Sequence, residues 1–243
     1  MSAIRLNTLV ASEGSPVDLT VVLSAGLLLM LGLIMVTSAS SEVAARNYGH
    51  PLYLAGKHVV FLGLGLAGLL GALIVPIRVW QRLGWVLYAV SVMLLILVMM
   101  PGIGREVNGA TRWIPLGFFT LQGSEFVKLF AVVFLASYLA SPTARYQERL
   151  SAYLLPLGLT GLLVGMLLLQ PDFGACVVMM SAVLAMLFFA GVPMRYFLPT
   201  LLAGGLLVVV LIVLQPYRLA RLISFTDPWA HQFDGGYQLT QAL

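Results

Sequence analysis

Apolar residues fall along this chain in seven long blocks divided by short polar segments. Several approach the roughly 20 residues that a helix needs to cross a bilayer. The blocks predict helices over Val17–Ala39, Leu54–Val75, Leu83–Met100, Leu121–Ala140, Tyr153–Leu169, Gly174–Ala190 and Phe197–Leu214. Pro76, Pro101, Pro142, Pro171 and Pro216 stand just beyond proposed ends, where a ring without an N–H stops a helix cheaply. Trp80 and Trp85 flank one short connection, while Trp113 and Trp229 sit in others. That placement suits aromatic belts at the two membrane interfaces.

Composition turns the pattern into a fold class. Of 243 residues, 60% are hydrophobic and 9% charged, against about 25% charged in a soluble domain. Mean hydropathy is +1.01. The expectation is an all-α, polytopic integral membrane helix bundle. Its parts are an N-terminal cytoplasmic tail over 1–16, the bundle over 17–214, and the start of a large outer loop over 215–243. The first block is too long for a signal-peptide core and reads as a retained signal anchor. A net charge of +4, thinly spread, does not support nucleic-acid binding. The single cysteine, Cys176, excludes an internal disulfide and a cysteine metal cluster, and reads as a packed, inert thiol.

With the N-terminus inside, the inner segments hold Arg5, Arg78, Arg82, Arg145, Arg149 and Arg195. The outer side then holds Arg46, Lys57, Arg105, Arg112, Lys128, Arg218 and Arg221. Shorter, arginine-denser inner loops favour this orientation. Gly63, Ala67 and Gly71 recur at four-residue spacing, as do Gly161 and Gly165, and both sets are expected to line close helix contacts.

Candidate chemistry gathers where charge meets apolar helix. Arg112, Glu125 and Lys128 lie against or inside the fourth block. Charge at bilayer depth costs about 2.5–3.5 kcal/mol per residue on insertion scales. Glu125 and Lys128, three residues apart, can meet on one face. They form either a structural ion pair or a site in which Lys128 and Arg112 bind phosphate oxygens while Glu125 orients the lysine. Asp172 either N-caps the sixth helix or adds a carboxylate on the membrane face that carries Arg112 and Glu125. Arg218 and Arg221, at helical spacing, form a second cationic patch or contact lipid headgroups. His231 reads as a loop residue, and His50 and His58 have no partners at metal-ligand spacing. No Walker-type phosphate loop, serine elbow or HExxH motif occurs.

Four segments, in this order and spacing, resemble the SEDS family of bacterial cell-wall glycosyltransferases. They are Asn108-Gly109-Ala110-Thr111-Arg112-Trp113-Ile114; Gln122-Gly123-Ser124-Glu125 with Lys128-Leu129; Gln170-Pro171-Asp172-Phe173-Gly174; and Phe225-Thr226-Asp227-Pro228-Trp229 with Gly236-Tyr237-Gln238. The resemblance covers essentially the whole chain, and the late segment is closer to the cell-division branch than to the elongation branch. Family members look like ten-helix proteins, so about seven of ten helices are expected here. Gly123 stands where the family usually has proline, which is expected to loosen the start of the fourth helix.

The resemblance implies septal peptidoglycan synthesis at the bacterial inner membrane during cell division. Lipid II, a disaccharide-pentapeptide on undecaprenyl pyrophosphate, is polymerised when an acceptor sugar hydroxyl attacks the donor's anomeric carbon and displaces the lipid pyrophosphate. Such a site needs a base near the hydroxyl and cations near the leaving group. Arg112, Lys128, Arg218 and Arg221 are the implied cations. Glu125 and Asp172 either orient them or hold a divalent cation. The acidic residue that the resemblance implies as base lies farther along the outer loop than Leu243. No catalytic residue is therefore assigned, and the chain alone is expected to be inactive. A class B penicillin-binding transpeptidase, other division proteins and membrane lipids are the implied partners. Two other readings stay open: a flippase for lipid II, or a non-catalytic scaffold of the division complex. Charges gathered near one face favour surface chemistry over translocation, which needs polar groups at the bilayer midplane.

Overall fold

The structure is a computed structural model and describes residues 18–107, 110–117, 119–141, 144–225, 229–231 and 240. In chain order come α1 (Leu19–Tyr48), α2 (Tyr53–Ile74), α3 (Ile77–Met99), β1 (Arg105–Val107), β2 (Ala110–Pro115), β3 (Thr120–Gln122), α4 (Gly123–Leu139), α5 (Leu150–Leu169), α6 (Phe173–Phe189), α7 (Met194–Val213) and α8 (Pro216–Ile223). Each of the seven expected apolar blocks is a helix. Five of them, α1, α2, α3, α5 and α7, are long and apolar enough to cross a membrane. The other two, α4 and α6, have 17 residues each, about 25 Å of rise.

The chain divides into two compact units, Met1–Val75 and Pro76–Leu243. In the first, Asp18 caps α1 by accepting from the Thr20 and Val21 amides at 2.8 and 3.3 Å. The helix continues nine residues beyond the predicted end at Ala39, through Ser40–Tyr48, and stops at Gly49 with φ of 72°. Falling hydropathy marks where hydrocarbon ends; it does not end a backbone ladder that polar residues sustain equally well. Gly49 does, because a left-handed residue closes the helix without Cβ strain.

The second unit is built on α3 and α4, its most extensive helix pair. Leu95 of α3, Val127, Ala131 and Phe134 of α4, Leu163 and Leu167 of α5, and Cys176 and Met179 of α6 form the main core. A satellite cluster of Leu135, Tyr153, Val183, Leu187 and Phe197 brings in α7. Cys176 is buried, with Sγ 3.7 Å from the Val164 carbonyl oxygen. At the α3–α4 crossing, a Cβ on Gly84 would lie 2.6 Å from Ser137 Cβ. Only glycine permits that approach.

The sequence pattern did not show the small sheet between α3 and α4. Its strands are antiparallel in the order β1-β2-β3, with Trp113 opposite Arg105 on one side and Gln122 on the other. Strands of three to six residues carry little periodicity beside two long apolar helices. Gly104 seats the sheet on the end of α3: a Cβ there would fall 2.0 Å from the Val98 carbonyl oxygen and 2.5 Å from Thr111 Cγ2.

One other expectation is corrected. Among the described residues, and within the unit that holds each, a Cβ on Gly63, Gly71, Gly161 or Gly165 would meet nothing within 4 Å, so none of them lines a close helix contact there. Spacing puts small residues on one face, but packing decides which way that face points. Gly123 is buried at the start of α4, where a Cβ would meet Val98 Cγ2 at 3.2 Å. Finally, the start of the expected outer loop is the amphipathic helix α8.

Candidate functional site

At the end of α3 and the start of α4, the sheet meets the α5–α6 connection. Arg112 reaches across from β2, donating through Nε to the Gln170 carbonyl at 3.2 Å and through Nη2 to the Pro171 carbonyl. The Gln170 carbonyl is that of the C-cap of α5, where a cation also suits the helix dipole, and the Pro171 carbonyl lies one residue beyond. Gln170 is buried and donates from Nε2 to the Leu95 carbonyl of α3 at 3.0 Å. The α5–α6 connection is thus pinned to α3 and to the sheet by two side chains.

Asp172 is 5% exposed. Its Oδ1 accepts from the Ala175 amide at 3.3 Å, capping α6, and its Oδ2 faces Gln122 Nε2 at 3.4 Å. Gln122 also donates to Ser124 Oγ at 3.0 Å, so one amide joins β3, α4 and α6. Near the start of α4, Lys128 Nζ meets Glu125 Oε1 at 2.8 Å. The lysine side chain is 22% exposed and the glutamate 59%, so the cation is the sheltered partner. Arg218 on α8 stacks over Phe173, 4.6 Å from the ring centroid, and donates to the Leu211 carbonyl of α7 at 2.9 Å. Such stacking on an aromatic face adds attraction to the cap at the end of α7.

The tertiary structure therefore brings Arg112, Asp172 and Arg218 onto the two ends of the α5–α6 connection, with Glu125 and Lys128 one turn from Gln122. Arg221 belongs to α8, but its side chain lies outside the described residues, as do Asn108, Gly109, Asp227, Pro228, Gly236, Tyr237, Gln238 and the side chain of His231. Gln122 and Gln170 emerge as site residues that sequence reasoning used only as motif letters. The available signal was an amide placed beside the end of an apolar block, where backbone groups lack partners. Both Asp172 oxygens face donors and Glu125 holds Lys128, and no three His, Cys, Asp or Glu side chains gather among the described residues.

This assembly carries the motif segments singled out in the sequence, and residues 18–243 match a family model of FtsW, RodA and SpoVE described as cell cycle protein. The chain belongs to the FtsW/RodA/SpoVE family. It is accordingly a multi-pass protein of the bacterial inner membrane. It is 46% identical over 235 residues to a probable peptidoglycan glycosyltransferase FtsW of Pseudomonas fluorescens, covering 97% of this chain and 58% of that protein. Over 218 residues it is 49% identical to a protein of the same name from Coxiella burnetii, covering 89% and 58%. Among solved structures, it is similar to a chain of a peptidoglycan synthase complex, with TM-score 0.62 and 34% identity, covering 87% of this chain and 63% of that one. The rod shape determining protein RodA of Thermus thermophilus gives TM-score 0.56 and 36% identity, covering 72% and 58%. The chain thus spans under two thirds of the length of these FtsW and RodA relatives.

Proposed function

We propose that this chain forms part of a peptidoglycan glycosyltransferase that polymerises lipid II during septal wall synthesis. The assembly around Arg112 and Asp172 is one wall of its lipid-pyrophosphate site. The observation that supports this reading is the bridge from Arg112 to the Gln170 and Pro171 carbonyls, which joins two of the motif segments, with Gln122 of a third reaching Asp172 beside it. Arg112 spends two of its five N–H groups on that bridge and Arg218 spends one on Leu211, leaving donors for phosphate oxygens. Lys128 adds a point charge, and Glu125 holds it in place. Asp172 positions the connection and binds no substrate. The proton-accepting base is assigned to no residue of this chain.

In this reading the N-terminus is cytoplasmic, residues 215–243 begin the periplasmic loop, and the protein works at the septum beside a class B penicillin-binding transpeptidase. Polymerisation is favoured over lipid II flipping because the buried hydroxyls of Ser91 and Thr160 bond to their own helices, at Leu87 and Pro156. They offer no polar path along α3 and α5.

Retention of lipid II by the purified chain in detergent tests the proposal. Lys128→Ala and Arg112→Ala should each weaken binding about tenfold, as expected for loss of a charge-assisted hydrogen bond. Wild-type retention in both variants would overturn the assignment.

A further inference from the structure

At the opposite end of α3 and α4 lies a groove of about 660 Å³, lined by Arg78, Gln81, Arg82, Trp85, Ser137, Tyr138 and Ser141 among others. Roughly 25 Å of α4 separates it from the Asp172 assembly. The hydroxyls in its wall are committed: Ser137 Oγ donates to the Gln81 carbonyl at 2.5 Å, and Tyr138 to the Ala152 carbonyl at 2.6 Å. Arg78, Gln81 and Arg82 make no side-chain hydrogen bond or ion pair among the described residues. Among the described residues no carboxylate lines the groove, and Glu148 is taken by Arg145 at 3.2 Å.

Arg78 and Arg82 are exposed, stand one helical turn apart on the lining of one groove, and have no counter-ion among the described residues, so the groove attracts an anion. The next turn of α3 names its kind. Trp85 stands on the rim, 52% exposed, and Val86 and Met93 continue an exposed apolar strip along the helix. Tryptophan at that level marks the headgroup boundary, so an anion entering here arrives with hydrocarbon attached. We infer that the groove is a binding site for the phosphodiester of an anionic phospholipid. Arg78 and Arg82 grip the phosphate, the Gln81 amide donates to it, and the acyl chains descend past Trp85 along α3. Planar guanidinium donors suit phosphate oxygens, and basic pockets at helix ends hold anionic headgroups in this way.

Native mass spectrometry of the purified chain with equimolar phosphatidylglycerol and phosphatidylcholine tests the site. The wild type should retain phosphatidylglycerol preferentially, and R78Q/R82Q should lose that preference by roughly tenfold to thirtyfold. Ser141→Glu, which keeps both arginines but places a carboxylate in the groove, should lose it equally and covers the case in which the double variant does not fold. R149Q/R195Q, which removes the same charge outside the groove and leaves the Arg145–Glu148 pair intact, should behave as wild type. Equal retention of the two lipids, an equal loss in R149Q/R195Q, or displacement of the lipid by millimolar inorganic phosphate would each overturn the assignment.

Discussion

Tyr138 on α4 donates its hydroxyl proton to the Ala152 carbonyl of α5 at 2.6 Å. Four residues later stands Pro156, inside the helix, whose ring supplies no N–H for that carbonyl. A neighbouring helix thus satisfies the group that proline frees, the condition under which proline is tolerated in a spanning helix. Tyr138→Phe should cost about 0.5–1.5 kcal/mol of stability. In a Pro156→Ala background, where residue 156 can donate, the same change should cost almost nothing. A double-mutant cycle by thermal unfolding in detergent measures this, and additive effects would count against the coupling.

Arg112→Ala should destabilise the protein by about 1.5–3 kcal/mol, since two carbonyls lose a charged donor together. Arg112→Lys should recover less than half, because a single ammonium cannot reproduce the guanidinium fork. Melting temperatures of the three proteins decide it; full recovery by lysine would show that charge alone matters there.

At Asp172 both oxygens act as acceptors, Oδ1 for the Ala175 amide and Oδ2 for Gln122 Nε2. Asp172→Asn keeps an oxygen for the cap but turns an NH2 toward Gln122, so it should keep lipid II retention and lose only the 3.4 Å contact, whereas Asp172→Ala should cost about 0.5–2 kcal/mol through loss of the cap. Loss of lipid II binding in the asparagine variant, with an unchanged melting temperature, would move Asp172 from positioning the loop to binding substrate.

Glu125 is open to solvent beside the more sheltered Lys128, and a pair with one exposed partner contributes little, about 0–1 kcal/mol. Lys128→Ala should thus separate binding from folding. Lipid II retention should fall while the melting temperature holds, and a matched fall in both would mark the pair as structural.

Gly84→Ala should cost about 1–3 kcal/mol by overpacking, because its Cβ would meet Ser137 Cβ at 2.6 Å and Oγ at 2.7 Å. Adding Ser137→Gly clears that space and should restore part of the loss, read as recovery of monodisperse protein after purification. No recovery would place the strain elsewhere on α3.

Much of this architecture could be read from the chain because hydrocarbon is a simple selector. A backbone in lipid must satisfy its own polar groups, so every long apolar block had to be a helix. Residue charge likewise marked Arg112, Glu125, Lys128, Asp172 and Arg218 as unusual. Other features needed the folded molecule. The sheet stayed hidden because its strands are short, and the packing role of Gly84 because glycine spacing singled out Gly63, Gly71, Gly161 and Gly165 instead. Partner choice was equally out of reach. Arg112 and Gln170 are 58 residues apart, and nothing local makes an arginine on a strand cap one helix rather than another. The sequence by itself determined that the protein lies in a membrane and where its helices run. Only the tertiary structure decided that Arg112, Gln122, Gln170 and Asp172 are one assembly, because hydrogen bonds between distant segments exist only once packing brings their ends together.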